Sequence, residues 1–239
     1  MNKEINEISK KLLKLESSVV VDVLDELGYP HQVISIEIRA ISPKMKMAGP
    51  AFCIKGRSAS KLISKESEKG PNPAYEYFRH IYPGCIAVVE TGGHYEGSII
   101  GENVGIAAKV RGCVGYIIDG GIRDTQGFLE MDNFSVFSRF IGPVSNKKIW
   151  EYITFEEPII MPGHTSSNVV VKPGDFVLAD IDGIVIIPNN LIKIVVKAAE
   201  ELIRIEENMQ KELWSGIDRE KVYKKYDRFA HIKKLKNLI

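Results

Sequence analysis

Long apolar runs are missing from this chain of 239 residues. No stretch approaches the roughly 20 apolar residues of a membrane span, so no membrane partner is expected. The first 16 residues are amphipathic and polar and lack the apolar core of a secretory leader, which points to a cytoplasmic location. Cysteine is scarce: Cys53, Cys85 and Cys113 lie far apart, each in an apolar run. An odd count without C-x-x-C spacing argues against a disulfide framework or a zinc site, and leaves three reduced core thiols as the expectation. No charge of one sign dominates. Lys and Arg number 32 against 31 Asp and Glu, giving a net charge of +1 spread along the chain, so nucleic acid is not an expected partner. Neither the dinucleotide glycine pattern nor a P-loop occurs, and no repeat, linker or low-complexity segment is visible.

What is present suits one α/β domain with helical extensions. The hydrophobic fraction of 44% supports a sizeable core. Ile5, Ile8, Leu12 and Leu15 recur at helical spacing and predict a first helix over 3–16. Ser17 and Ser18 offer caps for a second helix over 19–27, closed by Gly28. Strands are expected at 33–40 and 51–55, a polar Gly/Pro-punctuated loop at 58–73, and a short helix at 74–81. Then follow buried strands at 85–89 and 114–118 around a helix at 102–111, a short helix at 125–131 and a strand at 134–138. The segment 141–162 gives no clear pattern. Strand-rich pieces at 169–171, 176–179 and 183–187 are joined by a Pro-Gly turn and an Asp-Gly turn. A long helix is expected over 190–214, and a basic tail over 218–239 forms a last helix plus a loose end.

The chemistry concentrates in two places. Gly101-Glu102-Asn103-Val104 opens a helix after a glycine-rich loop, and helix-start amides bind carboxylate or phosphate readily. One βα unit later, Arg123-Asp124 lies just beyond the carboxyl end of a buried strand, where open α/β sheets place their ligands. Arginine supplies a planar fork for a carboxylate, and aspartate supplies hard oxygens for a divalent cation. Together they suggest a site for a small, metal-chelating carboxylate. Adjacent residues are expected to point apart, so this need not be an internal ion pair; the bland alternative is a capping Asp beside a surface Arg. Glu102 either stabilises the helix dipole or acts as a base through a water. Asp180 and Asp182 superficially resemble a calcium loop, but Gly183 follows at once and a hairpin is the better reading. His94 and His164 sit in glycine-containing loops without metal-ligand spacing and read as polar surface. Glu200, Glu201, Glu206 and Glu207 on the long helix read as a solvated face, one of which could reach a neighbouring subunit's site.

The run Gly101-Glu102-Asn103, Ala107-Ala108, Arg111-Gly112, Gly115, Asp119-Gly120, Arg123-Asp124, followed by Val171-Lys172-Pro173-Gly174-Asp175, Asp180 and Asp182-Gly183-Ile184, resembles the RraA-like family. Gly49-Pro50-Ala51 and Asp22-Val23-Leu24 fit the same pattern. The family includes 4-hydroxy-4-methyl-2-oxoglutarate aldolases and a non-catalytic regulator of ribonuclease E. The resemblance covers about residues 17–215. It frames 1–16 as an N-terminal helix and 216–239 as a basic extension longer than the family minimum. It implies a single-domain α/β fold of the β/β/α swivelling type, assembled as a homotrimer or hexamer with sites between subunits. By the resemblance, Gly101, Glu102, Asn103 and Val104 bind the pyruvyl carboxylate of a 2-oxo acid, Arg123 binds the substrate oxygens, and Asp124 holds Mg²⁺ or Mn²⁺. A further metal ligand is implied from a neighbouring subunit's C-terminal helix, with Glu207 the favoured match. Glu102 would take the proton of the C4 hydroxyl. The implied activity is a metal-dependent, pyruvate-releasing aldolase that also decarboxylates oxaloacetate. Regulator members typically lack the acid after the arginine, so Asp124 favours the enzyme over the regulatory alternative. A methyltransferase label sometimes attached to the family finds no glycine-rich cofactor loop here.

Overall fold

The computed structural model describes residues 3–59, 73–146 and 149–236; most of the loop expected at 58–73 lies outside them. Its centre is a nine-stranded sheet in the order β1-β6-β5-β3-β2-β10-β11, with β4 paired to β5 and β7 to β2. The parallel core runs through β2 (Met47–Ser58), β3 (Ile86–Glu90), β5 (Gly115–Ile122) and β6 (Ser135–Ile141). Antiparallel strands close both ends: β1 (Arg39–Ala40) on β6, and β10 (Phe176–Ala179) with β11 (Ile184–Ile187) beside β2. β3 and β5 are apolar along nearly their whole length because they are covered on both faces, as parallel strands usually are.

Strand β2 is longer than its apolar run suggests. Met47–Pro50 pair with β10, and the far half pairs antiparallel with β7 (Trp150–Phe155). A bulge at Lys55/Gly56 re-aims the strand, and Gly56 admits the Trp150 ring where any Cβ would overlap it. The segment 141–162, unreadable from sequence, supplies β7 and β8 (Ile159–Pro162), which forms a two-stranded sheet with β9 (Asn168–Val171). The expected strand at 33–40 reduces to bridges at Val33 and Ile34 and the two residues of β1. The helix expected at 74–81 is one turn, α3 (Pro73–Glu76), continued by a 3-10 turn.

Three apolar clusters hold these layers together. One face of the sheet packs on the β8–β9 pair through Ile117, Phe137, Met161 and Val171. The other packs on α4 (Glu102–Val110) and α5 (Thr125–Glu130) through Ile118, Ala108 and Phe128. The third joins β10–β11 to α1 (Lys3–Leu12), α2 (Ser17–Leu27), α6 (Ile192–Trp214) and α8 (Ala230–Lys236). The tail is therefore not a loose end as far as Lys236. Ile232 and, on α7 (Arg219–Lys225), Val222 are fully buried, and Arg228 bonds both Asp22 and Glu206. Ser17 does not cap α2 with its own side chain; its amide and hydroxyl donate to Asp180 at 2.8 and 2.6 Å. Asp180 also accepts from the Asp182 amide inside the β10–β11 turn, which confirms the hairpin over a calcium loop.

Candidate functional site

The two sequence motifs meet at one corner of the sheet. β4 (Ser98–Ile100) runs beside the end of β5, and the Arg123 amide donates to Ile100 O at 3.1 Å. Helix α4 therefore begins at Gly101 immediately beside the β5 exit, and α5 begins at Asp124.

Asp124 adopts a left-handed backbone, φ 57° and ψ 40°. Asp tolerates this region better than most residues, at a cost of roughly 1–3 kcal/mol. The consequence is geometric. The chain leaves the extended strand at this residue, so the neighbouring side chains do not point apart as expected. Arg123 Nε lies 3.7 Å from Asp124 Oδ2. Nor is Asp124 a simple cap. It occupies the N-cap position of α5 without a side-chain bond to that helix, and Oδ2 instead accepts from the Glu102 amide of α4 at 3.3 Å. Gly101 makes this possible, because a Cβ there would overlap Oδ2.

The start of α4 keeps spare donor capacity. Val104 and Gly105 amides bond Gly101 O at 3.1 and 3.2 Å, the Glu102 amide bonds Asp124, and the Asn103 amide has no partner among the described residues. Arg123 and Asp124 side chains are 40% and 47% exposed, accessible to a ligand rather than sealed in the core. Glu102 folds over the first turn of α5. Its carboxyl sits where a Cβ on Gly127 would be, and Gly105 likewise admits the Phe128 ring. Gly127 carries no recognisable motif, and its role was not legible; two glycines on facing short helices are the only signal for such an approach.

The fit of a divalent cation follows from the donor set. Asp124 Oδ1 carries no protein bond among the described residues, where no group of three acidic, His or Cys side chains suited to a metal exists either. Mg²⁺ is commonly held by one or two carboxylates, with waters and substrate oxygens completing six positions. One open carboxylate fits that habit, and the Asn103 amide, unbonded among the described residues, could hold a substrate oxygen beside it. Glu207 is not brought to Asp124 within this chain. It is exposed on α6, which packs against α1, α2, α7 and α8. Its neighbours are already engaged: Glu200 with Lys11, Glu201 with Arg204, Glu206 with Arg228.

Two groups escaped the sequence reading. His94, expected on the surface, is 1% exposed, with Nδ1 2.9 Å from Ser58 Oγ and Nε2 without a partner among the described residues. Burial lowers its pKa from 6.5. Asp119, inside β5, bonds Arg139 of β6, and both are nearly buried. Burial raises the Asp119 carboxyl pKa, with Arg139 pulling it part of the way back. An acid in the middle of a buried strand demands a partner, and that rule predicts that Asp119 is paired, though not with Arg139 in particular. The three cysteines are buried and free, as expected, and burial holds the Cys53 thiol up at about 12.

A family model described as RraA-like, Aldolase/RraA, matches residues 17–186. The chain belongs to the RraA-like family. Among relatives, Protein DlpA of Legionella pneumophila is 25% identical over 219 residues, 91% of this chain; the chain spans only 33% of that longer protein. A Cupriavidus taiwanensis protein carrying the provisional name 4-hydroxy-4-methyl-2-oxoglutarate aldolase is 27% identical over 161 residues, 67% of this chain and 86% of its own. The crystal structure of Streptomyces coelicolor RraAS2, described as an unusual member of the RNase ES inhibitor RraA protein family, superimposes with a TM-score of 0.73. It does so over 86% of this chain and 98% of its own at 22% identity, which establishes the shared RraA fold. No helix among the described residues is long and apolar enough to cross a membrane.

Proposed function

We propose that this RraA-like protein is a divalent-metal-dependent aldolase that cleaves a 4-hydroxy-2-oxo acid to release pyruvate, and that oxaloacetate decarboxylation is a side activity of the same site. The observation that carries this reading is the left-handed Asp124, which gathers its own carboxylate, the Arg123 guanidinium and the Glu102 amide at one exposed corner.

The substrate carboxylate docks at the start of α4, where the Asn103 amide has no partner among the described residues and the helix dipole is favourable. Arg123 presents its donors to the 2-oxo oxygen. As the C3–C4 bond breaks, its electron pair moves into the C2–C3 bond and negative charge collects on that oxygen, where Arg123 stabilises it. Glu102, directly or through a water, accepts the C4 hydroxyl proton so that C4 departs as a carbonyl. The enolate then takes a proton at C3 and leaves as pyruvate. Asp124 would hold Mg²⁺ or Mn²⁺, which supplies Lewis acidity at the chelating substrate oxygens. No lysine among the described residues of these motifs is placed for a Schiff base: Lys109 lies in the last turn of α4 and bonds Asp132 O. A second subunit in a trimer or hexamer would complete the site with an acid from α6, Glu207 being the exposed choice.

The test is pyruvate release from 4-hydroxy-4-methyl-2-oxoglutarate and from oxaloacetate, with and without excess chelator. Loss of activity in chelator and its return with Mg²⁺ supports the reading. Full activity in chelator, or inactivation by borohydride in the presence of substrate, sinks it. No cleavage of either substrate under any metal moves the assignment to the regulatory alternative.

A further inference from the structure

A cavity of about 410 Å³ opens at the end of β6, lined by Glu37, Tyr95, Arg139 and Phe140. At its base one guanidinium is held by two unequal carboxylates. Arg139 Nε donates to Asp119 and Nη1 donates to Glu37, while Nη2 bonds no described residue. Arg139 and Asp119 side chains are only 11% and 12% exposed, whereas Glu37 is 71% exposed. The inner pair fixes the plane of the fork. The outer carboxylate sits in solvent, where an ion pair is weak and exchanges readily. In the same lining the Tyr95 and Phe140 rings stack at 5.8 Å and 15°, forming an apolar wall. Phe140 is itself seated on Gly121, where a Cβ would overlap its ring.

A part-free, pre-oriented arginine beside an aromatic wall is a recognition unit for an oxyanion with an apolar body. We propose that this cavity is a second ligand site, separate from the Arg123–Asp124 corner, for a small organic anion. Its carboxylate or phosphate displaces Glu37 from Arg139, and its apolar body lies against Tyr95. Glu37 is then a built-in competitor that keeps the fork satisfied while the site is empty. The site does not depend on the aldolase reading.

Titration calorimetry without metal, in an Arg123→Ala background that silences the other corner, tests this. The probes are benzoate, acetate and inorganic phosphate. Benzoate is expected to bind more tightly than acetate. Glu37→Gln should tighten benzoate about five-fold by removing the competitor. Glu96→Gln removes the same charge from the neighbouring loop without a bond to Arg139, and should change affinity less than about two-fold. Tyr95→Ala should weaken benzoate and leave acetate unchanged. Phosphate outcompeting benzoate makes the ligand's head a phosphate; the reverse makes it a carboxylate. Arg139→Gln strips Asp119 of its partner and can unfold the chain, so the decisive variants are those at the exposed positions Glu37 and Tyr95. Equal affinity for benzoate and acetate, or equal gains from Glu37→Gln and Glu96→Gln, would overturn the proposal.

Discussion

Two aspartates on one stretch of chain, Asp119 within β5 and Asp124 just beyond it, each meet an arginine. The inner one is nearly buried against Arg139, and the backbone around it is extended. The outer one is half exposed, sits at a left-handed residue, and shares a long 3.7 Å contact with Arg123. Burial accounts for the difference. A charge taken out of water must be matched tightly or it destabilises the fold, so Asp119–Arg139 is closed on its inner side. At the β5 exit water can solvate what the protein leaves unpaired. Backbone strain can persist there, as can an Asn103 amide and an Asp124 oxygen that have no partner among the described residues. The same two residue types thus hold the sheet together in one place and, on the proposed reading, offer chemistry in the other.

The sharpest way to break this contrast is at Arg123. Arg123→Ala and Arg123→Lys should each lower turnover by about 10²- to 10³-fold, since lysine keeps the charge but not the fork. Circular dichroism should be unchanged in both. A lysine variant with near-normal turnover would remove Arg123 from the assigned role.

The inner pair should respond in stability. Asp119→Asn removes the buried one of the two carboxylates on Arg139 and leaves only the solvent-exposed Glu37, which should cost about 3 kcal/mol. For a chain of this size that lowers Tm by roughly 6–12 °C. Asp124→Asn, measured alongside without metal, should barely move Tm. Equal shifts in the two melting curves would erase the distinction.

A smaller effect is expected at the α4–α5 contact. Gly127→Ala improves helix propensity but pushes its Cβ into the Glu102 carboxyl. Turnover should fall about 10-fold, less than the roughly 10²–10⁴ lost when a general base is removed outright, while stability holds. Unchanged turnover would show that the position of Glu102 over α5 is irrelevant to the chemistry.

The smallest effect concerns the buried His94. Its folded pKa lies below the ordinary 6.5 because burial disfavours the charged ring. The unfolded chain therefore takes up the proton first as pH falls. Stability from His94 is complete above 6.5 and declines as pH drops towards the folded pKa. Melting curves for the wild type and His94→Gln should converge on the acid side and separate above about pH 7; a constant gap would contradict this.

Much of this architecture is legible in the sequence because the parallel core consists of short, continuous apolar runs. β3, α4 and α5 fall where patterning and turn residues place them; β5 begins where expected but runs on past 118 to Ile122, taking Asp119 into the strand. The segment 141–162 resists because β7 is neither cleanly alternating nor continuously apolar. Trp150 is buried, Ile153 is exposed and most of the rest is half-buried, as suits an edge pairing with distant β2. The tail's burial is nearly silent, since Val222 is the one aliphatic residue of α7 and α8 offers only Ile232 and Leu235 among its lysines. At the site, the residue types and the corner they share are readable in the sequence, but not the contacts made there. Those depend on the backbone of Asp124 and on close approaches at Gly101 and Gly127, which no local pattern encodes. Asp119–Arg139 depends on strand order, which places β6 beside β5.

Everything proposed for the exposed corner depends on Asp124 being a cation ligand rather than a helix cap. Asp124→Asn keeps the volume and the capping ability of the side chain but removes the charge that attracts a hard cation. Calorimetric titration of Mg²⁺ or Mn²⁺ into the wild type and into Asp124→Asn decides between the two roles. The expected result is a large loss of metal affinity in the variant with oligomer size unchanged. Equal affinities in the two proteins would contradict it.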